Sequence, residues 1–306
     1  MSVDLAGAAA DYLADRRARG HQLADHDYLI RAFLHGLDAR GVTTITVTDS
    51  VAFALKPDTT AVWHAARLRV VRGLAAYVHG LDPASAELIP PGLIAFKVTR
   101  RIPYLYSQAQ IGQLMAGTAA LRPPHLAASI RTLIGLLAAT GLRGGEASAL
   151  DIEHVRADEG VMTVTGKNGR ERLVPLHPST LAALDDYRRS CPNPTATTGP
   201  LLVGTTGGRL NMDAARAAFR TVATACNLPT SPGCGTPRLH DLRHLFAVNS
   251  LIDAHRNGVD IDARIATLAV YLGHADPINT YWYLTATAEL MTIVAARVAA
   301  HTWGQP

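Results

Sequence analysis

The stretch VMTVTGKNGRERLVPL (161–176) is the part of the sequence that most clearly indicates the fold. Apolar and β-branched residues alternate with polar ones on both sides of Asn168-Gly169, and Asn-Gly is a dipeptide that commonly closes a tight β-hairpin. Elsewhere, apolar residues recur mainly at the spacing of α-helices. The sequence therefore predicts a mostly α-helical protein with one small β-sheet.

Helical patterns lie on both sides of this hairpin. Before it, helices are predicted within 8–38, from Asp58 to about 80, within 106–121 with Ser107 as N-cap, and from about 125 to Gly141. After it, helices are predicted near 178–190, 211–226, 238–256, 261–273 and 286–300. Gly20 and Gly36 are expected to interrupt or end helices in the first stretch, because glycine weakens a helix interior.

A proline-containing stretch without helical periodicity divides the chain. The predicted parts are a helical domain over 1–85, a basic linker over 86–105 and a second domain over 106–306. The basic residues of interest are Arg67, Arg69 and Arg72 on the preceding helix, and Lys97, Arg100 and Arg101 in the linker. For the linker, a solvated connector and a strap along a nucleic-acid backbone both remain open.

Composition narrows the class of protein. With 306 residues, 48% of them hydrophobic and 18% charged, the chain has a globular rather than a disordered composition. Three scattered cysteines argue against a disulfide framework, and acidic residues near the start argue against a signal peptide. No apolar run reaches the roughly 18 residues of a membrane span. We therefore expect a soluble cytoplasmic protein with no membrane partner, whose net charge of +4 suits an anionic one.

Four separated segments carry the residues that suggest chemistry. They are TGLRGGEASAL (140–150), the hairpin, RLHDLRHLFAVN (238–249) and YLGHADPINTYWYL (271–284). In chain order they contribute Arg143 and Glu146, Lys167, His240 and Arg243, and His274 and Tyr283. His240 and Arg243 share a helix face because they are three residues apart. Pro277 is expected to break the last helix, which would allow His274 and Tyr283 to converge.

This combination of residue types suits attack on a phosphodiester. Arginine forks match the nonbridging oxygens of phosphorus, histidines can bind them or move a proton, lysine can protonate a leaving oxygen, and tyrosine can attack. The sequence shows no evident carboxylate cluster for a two-metal site and no HExxH motif, so neither a metal nor another cofactor is expected. Taken singly, each residue also has an ordinary interpretation as a surface ion pair, a solvated helix face or a core aromatic.

The order and spacing of the segments resemble the catalytic domain of the tyrosine recombinases, also called the phage-integrase family. That family carries T-G-L-R-x-x-E, then G-K-x-x-x-E-R-x-V-P-L, then H-x-L-R-H, and finally L-G-H followed nine residues later by Tyr. The match covers roughly 105–295, and residues 8–80 resemble the family's core-binding domain. The resemblance thus implies a DNA-clamping core-binding domain followed by an α+β catalytic domain.

The resemblance also implies a reaction. A site-specific DNA recombinase, acting as the integrase or transposase of a mobile element, would cut DNA through a 3′-phosphotyrosyl intermediate. Tyr283, and not Tyr281, stands where the family places its nucleophile. The implied roles are phosphate binding by Arg143, Arg243 and His274, general-acid catalysis by Lys167, assistance by His240, and orientation of the arginine by Glu146.

The implied partners are double-stranded recombination sites and further copies of the chain, forming a tetramer on DNA. The predicted helix 286–300 would dock on a neighbouring protomer, and the arginines of the N-terminal domain and the basic linker would clamp the duplex. The segment NTYWYL (279–284) resembles the transposon-associated type. The protein would act at the bacterial nucleoid, and whether companion recombinases or accessory proteins take part is left open.

Other readings use the same residues differently. A type IB topoisomerase or a junction resolvase would apply the same chemistry without joining two sites. A noncatalytic DNA-binding subunit of a transposition complex would keep only a vestigial site, and a metal-free ribonuclease would use the histidines and Lys167 without Tyr283. One departure from the family pattern is Gly144-Gly145 after Arg143, which is expected to loosen that loop.

Overall fold

A computed structural model describes residues 3–21, 23–57, 59–95, 102–166, 169–229, 235–273, 278–281, 283, 291, 292, 295 and 299. The chain divides into two compact units, Met1–Arg100 and Arg101–Pro306. In the described residues helices dominate, and three antiparallel strands form a small sheet in the second unit. The predicted fold class is therefore confirmed.

Across the described residues of the first unit, four helices surround one apolar core. They are α1 (Leu5–Ala18), α2 (Ala24–Asp38), α3 (Val47–Ala54) and α4 (Ala61–Leu81). Gly36 lies inside α2, so the predicted interruption there is wrong, whereas Gly20 follows the end of α1 with a positive φ of 82°. Thr60 caps α4 by accepting a hydrogen bond from the backbone N–H of Trp63, so the helix begins at the Asp-Thr-Thr stretch (58–60) from which it was predicted to start.

The range 86–105, predicted as a linker, includes residues that belong to the cores of both units. Ala86 pairs with Ile45 in an isolated β-bridge and, like Ile89, is buried in the first unit. Tyr104 is buried in the core of the second unit. The basic residues Lys97, Arg100 and Arg101 lie outside the described residues.

The second unit combines the sheet with eight helices in the described residues. The elements before and within the sheet are α5 (Gln108–Gly117), α6 (Pro124–Thr140), α7 (Gly144–Ala149), β1 (Val155–Arg156), β2 (Val161–Thr165) and β3 (Glu171–Pro175). Those after it are α8 (Pro178–Arg189), α9 (Met212–Ala225), α10 (Leu239–Arg256), α11 (Ile261–Leu272) and α12 (Ile278–Tyr281). Ser107 and Gln110 form a capping box at the start of α5, which confirms the predicted N-cap.

Strands β2 and β3 pair antiparallel, with Thr165 opposite Glu171 next to the turn. The backbone N–H of Gly166 donates to the carbonyl of Arg170 at 2.7 Å, and Gly169 has a φ of 71°, a value that glycine adopts without strain. The predicted hairpin is confirmed, while Lys167 and Asn168 lie outside the described residues. Strand β1, which the sequence did not predict, pairs with the other edge of β2.

Helix α6 organises the second unit because it is apolar on nearly all sides. Ile130, Leu133, Ile134 and Leu137 are at most 1% exposed, and α6 packs against α5, α8 and α10. It ends at Gly141, whose φ of 63° turns the chain sharply. The residues just after α6 therefore lie beside α10, which brings the TGLR and HDLR segments together.

Helix α11 ends within one residue of the predicted bound at 273. Its last residue is Leu272, and Gly273 caps it with a φ of 65°, while Pro277, which was expected to break the helix, lies outside the described residues. The polypeptide then resumes as α12, which precedes Tyr283. Most of the predicted helix 286–300 lies outside the described residues.

Candidate active site

Three arginines of the second unit converge from different elements, and we call Arg143, Arg172 and Arg243 the arginine cluster. Arg143 lies between α6 and α7, Arg172 on β3 and Arg243 on α10. All three donate to backbone carbonyls of Tyr271, Leu272 or Gly273 at the end of α11. Because the carbonyl end of a helix attracts cations, this end of α11 helps to hold the cluster together.

Arg243 is the most enclosed member of the cluster, with 1% of its surface exposed. Its Nη1 donates to the carbonyl of Gly141 at 2.8 Å and its Nη2 to that of Leu272 at 2.7 Å. Burial, together with the positive charge of Arg143, lowers the pKa of Arg243 to about 10. The side chain thus remains charged at neutral pH and joins the end of α6 to the end of α11.

Arg143 is more open, with 37% of its side chain exposed. Its Nη1 donates to Glu146 at 2.8 Å, whereas its bonds to the carbonyls of Leu272 and Gly273 are long, at 3.4 and 3.3 Å. Part of this guanidinium therefore faces solvent and can take another acceptor.

Glu146 is the buried carboxylate of the cluster, with 8% of its surface exposed. It accepts hydrogen bonds from the backbone N–H of Arg143, from Arg143 Nη1 and from both terminal nitrogens of Arg172. Burial alone would raise the pKa of Glu146, but the hydrogen bonds from Arg172 and Arg143 outweigh it and hold that pKa below its ordinary value. Glu146 therefore stays ionised and fixes the orientation of two arginines.

Tyr283 lies against this cluster, with 3% of its surface exposed. Its side chain is hydrogen-bonded to Arg243, and its ring meets that of His244 at 5.5 Å between centroids. Burial raises the pKa of Tyr283, while the charge of Arg243 partly opposes the rise. By contrast, Tyr281 is 47% exposed, so the structure brings Tyr283 and not Tyr281 into contact with Arg243.

His240 lies one helical turn before His244 on α10, and the two rings meet edge to face at 4.8 Å. One side of His240 is exposed, yet the protein around the rest of the ring removes solvent and lowers its pKa, and the charge of Arg243 lowers it further. His240 is thus neutral at pH 7, a form that can accept a proton or a hydrogen bond.

The structure brings together Arg143, Glu146, Arg243 and Tyr283, with His240 on the neighbouring turn. Lys167 and His274 lie outside the described residues. The residues immediately before them are described: a Cβ at Gly166 would lie 3.6 Å from Arg172 Nη1, and one at Gly273 would lie 3.2 Å from it. Gly166 and Gly273 themselves therefore lie against Arg172.

Among the described residues of this site, three guanidinium groups face one carboxylate, which leaves an excess of positive charge. This excess of positive charge, with one arginine partly exposed, suits an anion that presents two oxygens to a guanidinium group, such as a phosphodiester. In the part of the chain that the structure describes, no group of three His, Cys, Asp or Glu residues is placed to hold a metal ion. In the same part, no helix is long and apolar enough to span a membrane.

The sequence profile of the phage integrase family matches residues 106–289, more than half of the chain. The chain belongs to the phage integrase family. This recombinase is 34% identical over 294 residues to a Sinorhizobium fredii protein with the provisional name integrase/recombinase y4rB, a match that spans 93% of each chain. Members of the family are tyrosine-type site-specific recombinases, enzymes that cleave and rejoin DNA, and this chain is one of them.

Solved structures share the fold of this recombinase. The Tn1549 transposon integrase in complex with transposon right-end DNA matches with a TM-score of 0.62 and 15% identity, over 94% of this chain and 98% of that one. A lambda integrase tetramer bound to a Holliday junction matches with a TM-score of 0.61 and 18% identity, over 92% of this chain and 77% of that one.

Two features of the site differ from the expectations. Arg172 was not among the predicted site residues, although a signal was present. Arg172 lies two residues before the buried Val174 on β3, and residues two apart on a strand point to the same face, so the Arg172 side chain faces inward. Gly144 and Gly145 do not loosen a loop, because they form the first turn of α7, where Glu146 accepts from the Arg143 N–H. The arginines predicted to bind DNA, Arg67, Arg69 and Arg72, lie on α4 of the first unit.

Proposed function

We propose that this recombinase is the integrase or transposase of a mobile element and that Tyr283 is its nucleophile. The observation that carries the proposal is the hydrogen bond between the Tyr283 side chain and the buried Arg243, beside the half-open Arg143. An arginine that already holds the tyrosine oxygen can stabilise it as it loses its proton. The second arginine can then bind the nonbridging oxygens of the phosphate under attack.

The proposed step exchanges one phosphate ester for another. The Tyr283 oxygen attacks phosphorus, the bond from phosphorus to the 5′ oxygen breaks, and a 3′-phosphotyrosyl link forms. The phenolic proton passes to a neighbouring acceptor, for which neutral His240 is suited, and Lys167 supplies the proton that the departing 5′ oxygen takes up. A 5′-hydroxyl of a second strand then attacks the phosphotyrosine and releases Tyr283, so no nucleotide cofactor is consumed.

His274 and Lys167 enter this proposal through the sequence resemblance, as a phosphate-binding group and as the general acid. Glu146 would orient Arg143 without reacting, which its two hydrogen bonds from Arg143, one from the backbone N–H and one from Nη1, support. The proposed reaction requires no metal.

We further propose that the first unit binds duplex DNA through its arginines and the basic linker. Arg69 on α4 is exposed, whereas Arg72 donates to the carbonyls of Ile89 and Pro90 at 3.1 and 2.8 Å. The informative variant is therefore Arg69→Ala, because replacing Arg72 would also remove its hydrogen bonds to these two carbonyls and so affect the stability of the first unit. Arg69→Ala should weaken DNA binding and reduce the salt slope by about one unit, and an unchanged slope would contradict the assignment.

Assembly and cellular setting follow from the proposed reaction. Exchange between two duplexes needs four strand cleavages, so we propose a tetramer on DNA, as in the lambda integrase tetramer bound to a Holliday junction. The segment 286–300 would dock on a neighbouring protomer. The fold shared with the Tn1549 transposon integrase supports a role in transposition, at the nucleoid in the bacterial cytoplasm.

The test is covalent trapping in EDTA on a nicked duplex that carries the element's end. Wild-type protein should form a denaturation-resistant protein–DNA adduct, Tyr283→Phe should form none, and the exposed Tyr281→Phe should behave as wild type. An adduct that persists in Tyr283→Phe would place the nucleophile elsewhere. Specific binding without any adduct would favour a noncatalytic DNA-binding subunit, and relaxation of a plasmid without strand exchange would favour a topoisomerase.

A further inference from the structure

The mechanism above gives no role to Arg172, although its guanidinium lies within the arginine cluster. Only 15% of its side chain is exposed. Nη1 and Nη2 donate to the two carboxylate oxygens of Glu146 at 3.1 and 2.8 Å, and Nε donates to the carbonyl of Tyr271 at 2.8 Å. Since every nitrogen of this guanidinium has an internal acceptor, Arg172 is suited to holding other groups in place.

The contacts of Arg172 join three elements that lead to the proposed catalytic groups. Arg172 itself follows the hairpin turn that contains Lys167. Glu146, its acceptor on α7, in turn holds Arg143. Tyr271, its acceptor at the end of α11, lies three residues before His274. The guanidinium also packs against Gly273, where an added Cβ would lie 3.2 Å from Nη1.

The hydrogen bonds of Glu146 show how Arg172 can act on Arg143. Oε1 is shared by Arg143 Nη1 and Arg172 Nη1, and Oε2 by the Arg143 N–H and Arg172 Nη2. Arg172 therefore donates two of the four hydrogen bonds that the Glu146 carboxylate accepts, and it fixes the plane of that carboxylate. Without Arg172, the described cations near Glu146 would be Arg143 and the more distant Arg243, whose Nη1 lies 4.0 Å from Glu146 Oε2.

We propose that Arg172 is a positioning residue for DNA cleavage, which fixes Glu146, and through it Arg143, while it anchors the end of α11. This inference rests on the proposed function of the same site. Lysine cannot replace Arg172, because a single ammonium group does not span both carboxylate oxygens and a carbonyl in one plane.

The first test measures cleavage and binding separately on the nicked duplex. Arg172→Gln should slow single-turnover adduct formation by about 10- to 100-fold, a loss typical of groups that orient a reactive side chain, with little change in DNA affinity. Arg172→Lys should recover only part of the rate. The matched control is Arg156→Gln, on the same sheet, whose ion pair with Glu159 is half exposed, and it should leave the rate unchanged.

A double variant shows whether Arg172 acts through Glu146. If it does, adding Arg172→Gln to Glu146→Gln should slow cleavage by less than about threefold beyond Glu146→Gln alone, because the two residues form one unit. Losses that multiply fully in the double variant would overturn the proposal. Equal losses in binding and cleavage for Arg172→Gln would overturn it as well.

A second measurement does not depend on activity. In the full chain without DNA, amide hydrogen exchange should become faster in Arg172→Gln at the start of α7, where the Arg143 N–H is bonded to Glu146, and at the end of α11. Arg156→Gln should leave both segments unchanged. Unchanged exchange in Arg172→Gln would overturn the positioning role, whereas faster exchange in a protein that forms no adduct would contradict only the proposed function.

Discussion

Replacing Gly141 with alanine should destabilise the second unit strongly, because this glycine both turns the chain and leaves room for its neighbours. Its φ of 63° costs an L-residue about 1–2 kcal/mol. An added Cβ would also lie 2.9 Å from Phe246 Cγ and 3.1 Å from Leu272 Cδ2, and such overpacking costs about 1–3 kcal/mol. Alanine also restricts the unfolded chain, which offsets a small part of these two costs. We therefore expect Gly141→Ala to lower the free energy of unfolding by about 2–4 kcal/mol.

Gly145→Ala is the matched control. Gly145 lies on α7 with no atom within 4 Å of an added Cβ, so alanine there should change stability by no more than about 0.5–1 kcal/mol, in the stabilising direction. The assay is urea unfolding followed by circular dichroism. With a slope of about 2 kcal/mol per molar, Gly141→Ala should lower the midpoint by about 1–2 M at an unchanged slope. Similar midpoints for the two variants would refute the steric and conformational reasoning.

Four further predictions concern the site and one helix cap. The pKa of Glu146 lies below its ordinary 4.5, so its stabilising effect is present at neutral pH and lost as the pH falls through that lowered value; the stability deficit of Glu146→Gln should therefore shrink in acid urea titrations. Burial raises the pKa of Tyr283 above its ordinary 10, so the tyrosinate absorbance that Tyr283→Phe removes should reach half of its full value only above pH 10. Arg243→Ala should destabilise the protein by about 3–5 kcal/mol in urea, and Arg143→Ala by much less, because Arg243 is almost fully buried and gives two short hydrogen bonds to carbonyls, whereas Arg143 is partly exposed. Ser107→Ala should cost about 1 kcal/mol in the same assay, and Ser107→Asp should retain most of the cap.

The elements that the sequence predicted well are those with strong local signals. The hairpin has alternation and an Asn-Gly turn, α6 has an apolar run that ends in Gly141, and α5 has Ser107 as its cap. Helix α3 and strand β1 were missed, because eight and two residues are too short for a periodic pattern to emerge. A local signal for α3 did exist in Thr46, which accepts a hydrogen bond from the Asp49 N–H.

Site residues were predicted from motif spacing, and the contacts between them were not. Spacing cannot show that Glu146 binds Arg172 as well as Arg143, since Arg172 on β3 and Glu146 on α7 are brought together by tertiary packing, in which α7 lies against the neighbouring strand β2. Likewise, the periodic pattern predicted the end of α11 near 273, but it did not show that the carbonyls at this end accept hydrogen bonds from three arginines. The expected break at Pro277 lies outside the described residues.

The unequal burial of Arg143 and Arg243 shows how one cluster can hold one arginine in a fixed position and leave the other able to bind an anion. Arg243 has short bonds to two carbonyls and almost no exposed surface, so its position is set by α6 and α11. Arg143 has one short bond, to Glu146, and two long ones to carbonyls, so an incoming anion can replace the long bonds without disturbing the short one. Glu146 thereby limits the motion of Arg143 while leaving its outer nitrogen able to change partner. In the proposed attack on a phosphate, this arrangement would reduce the reorganisation needed at the transition state, because the group that must move is already oriented.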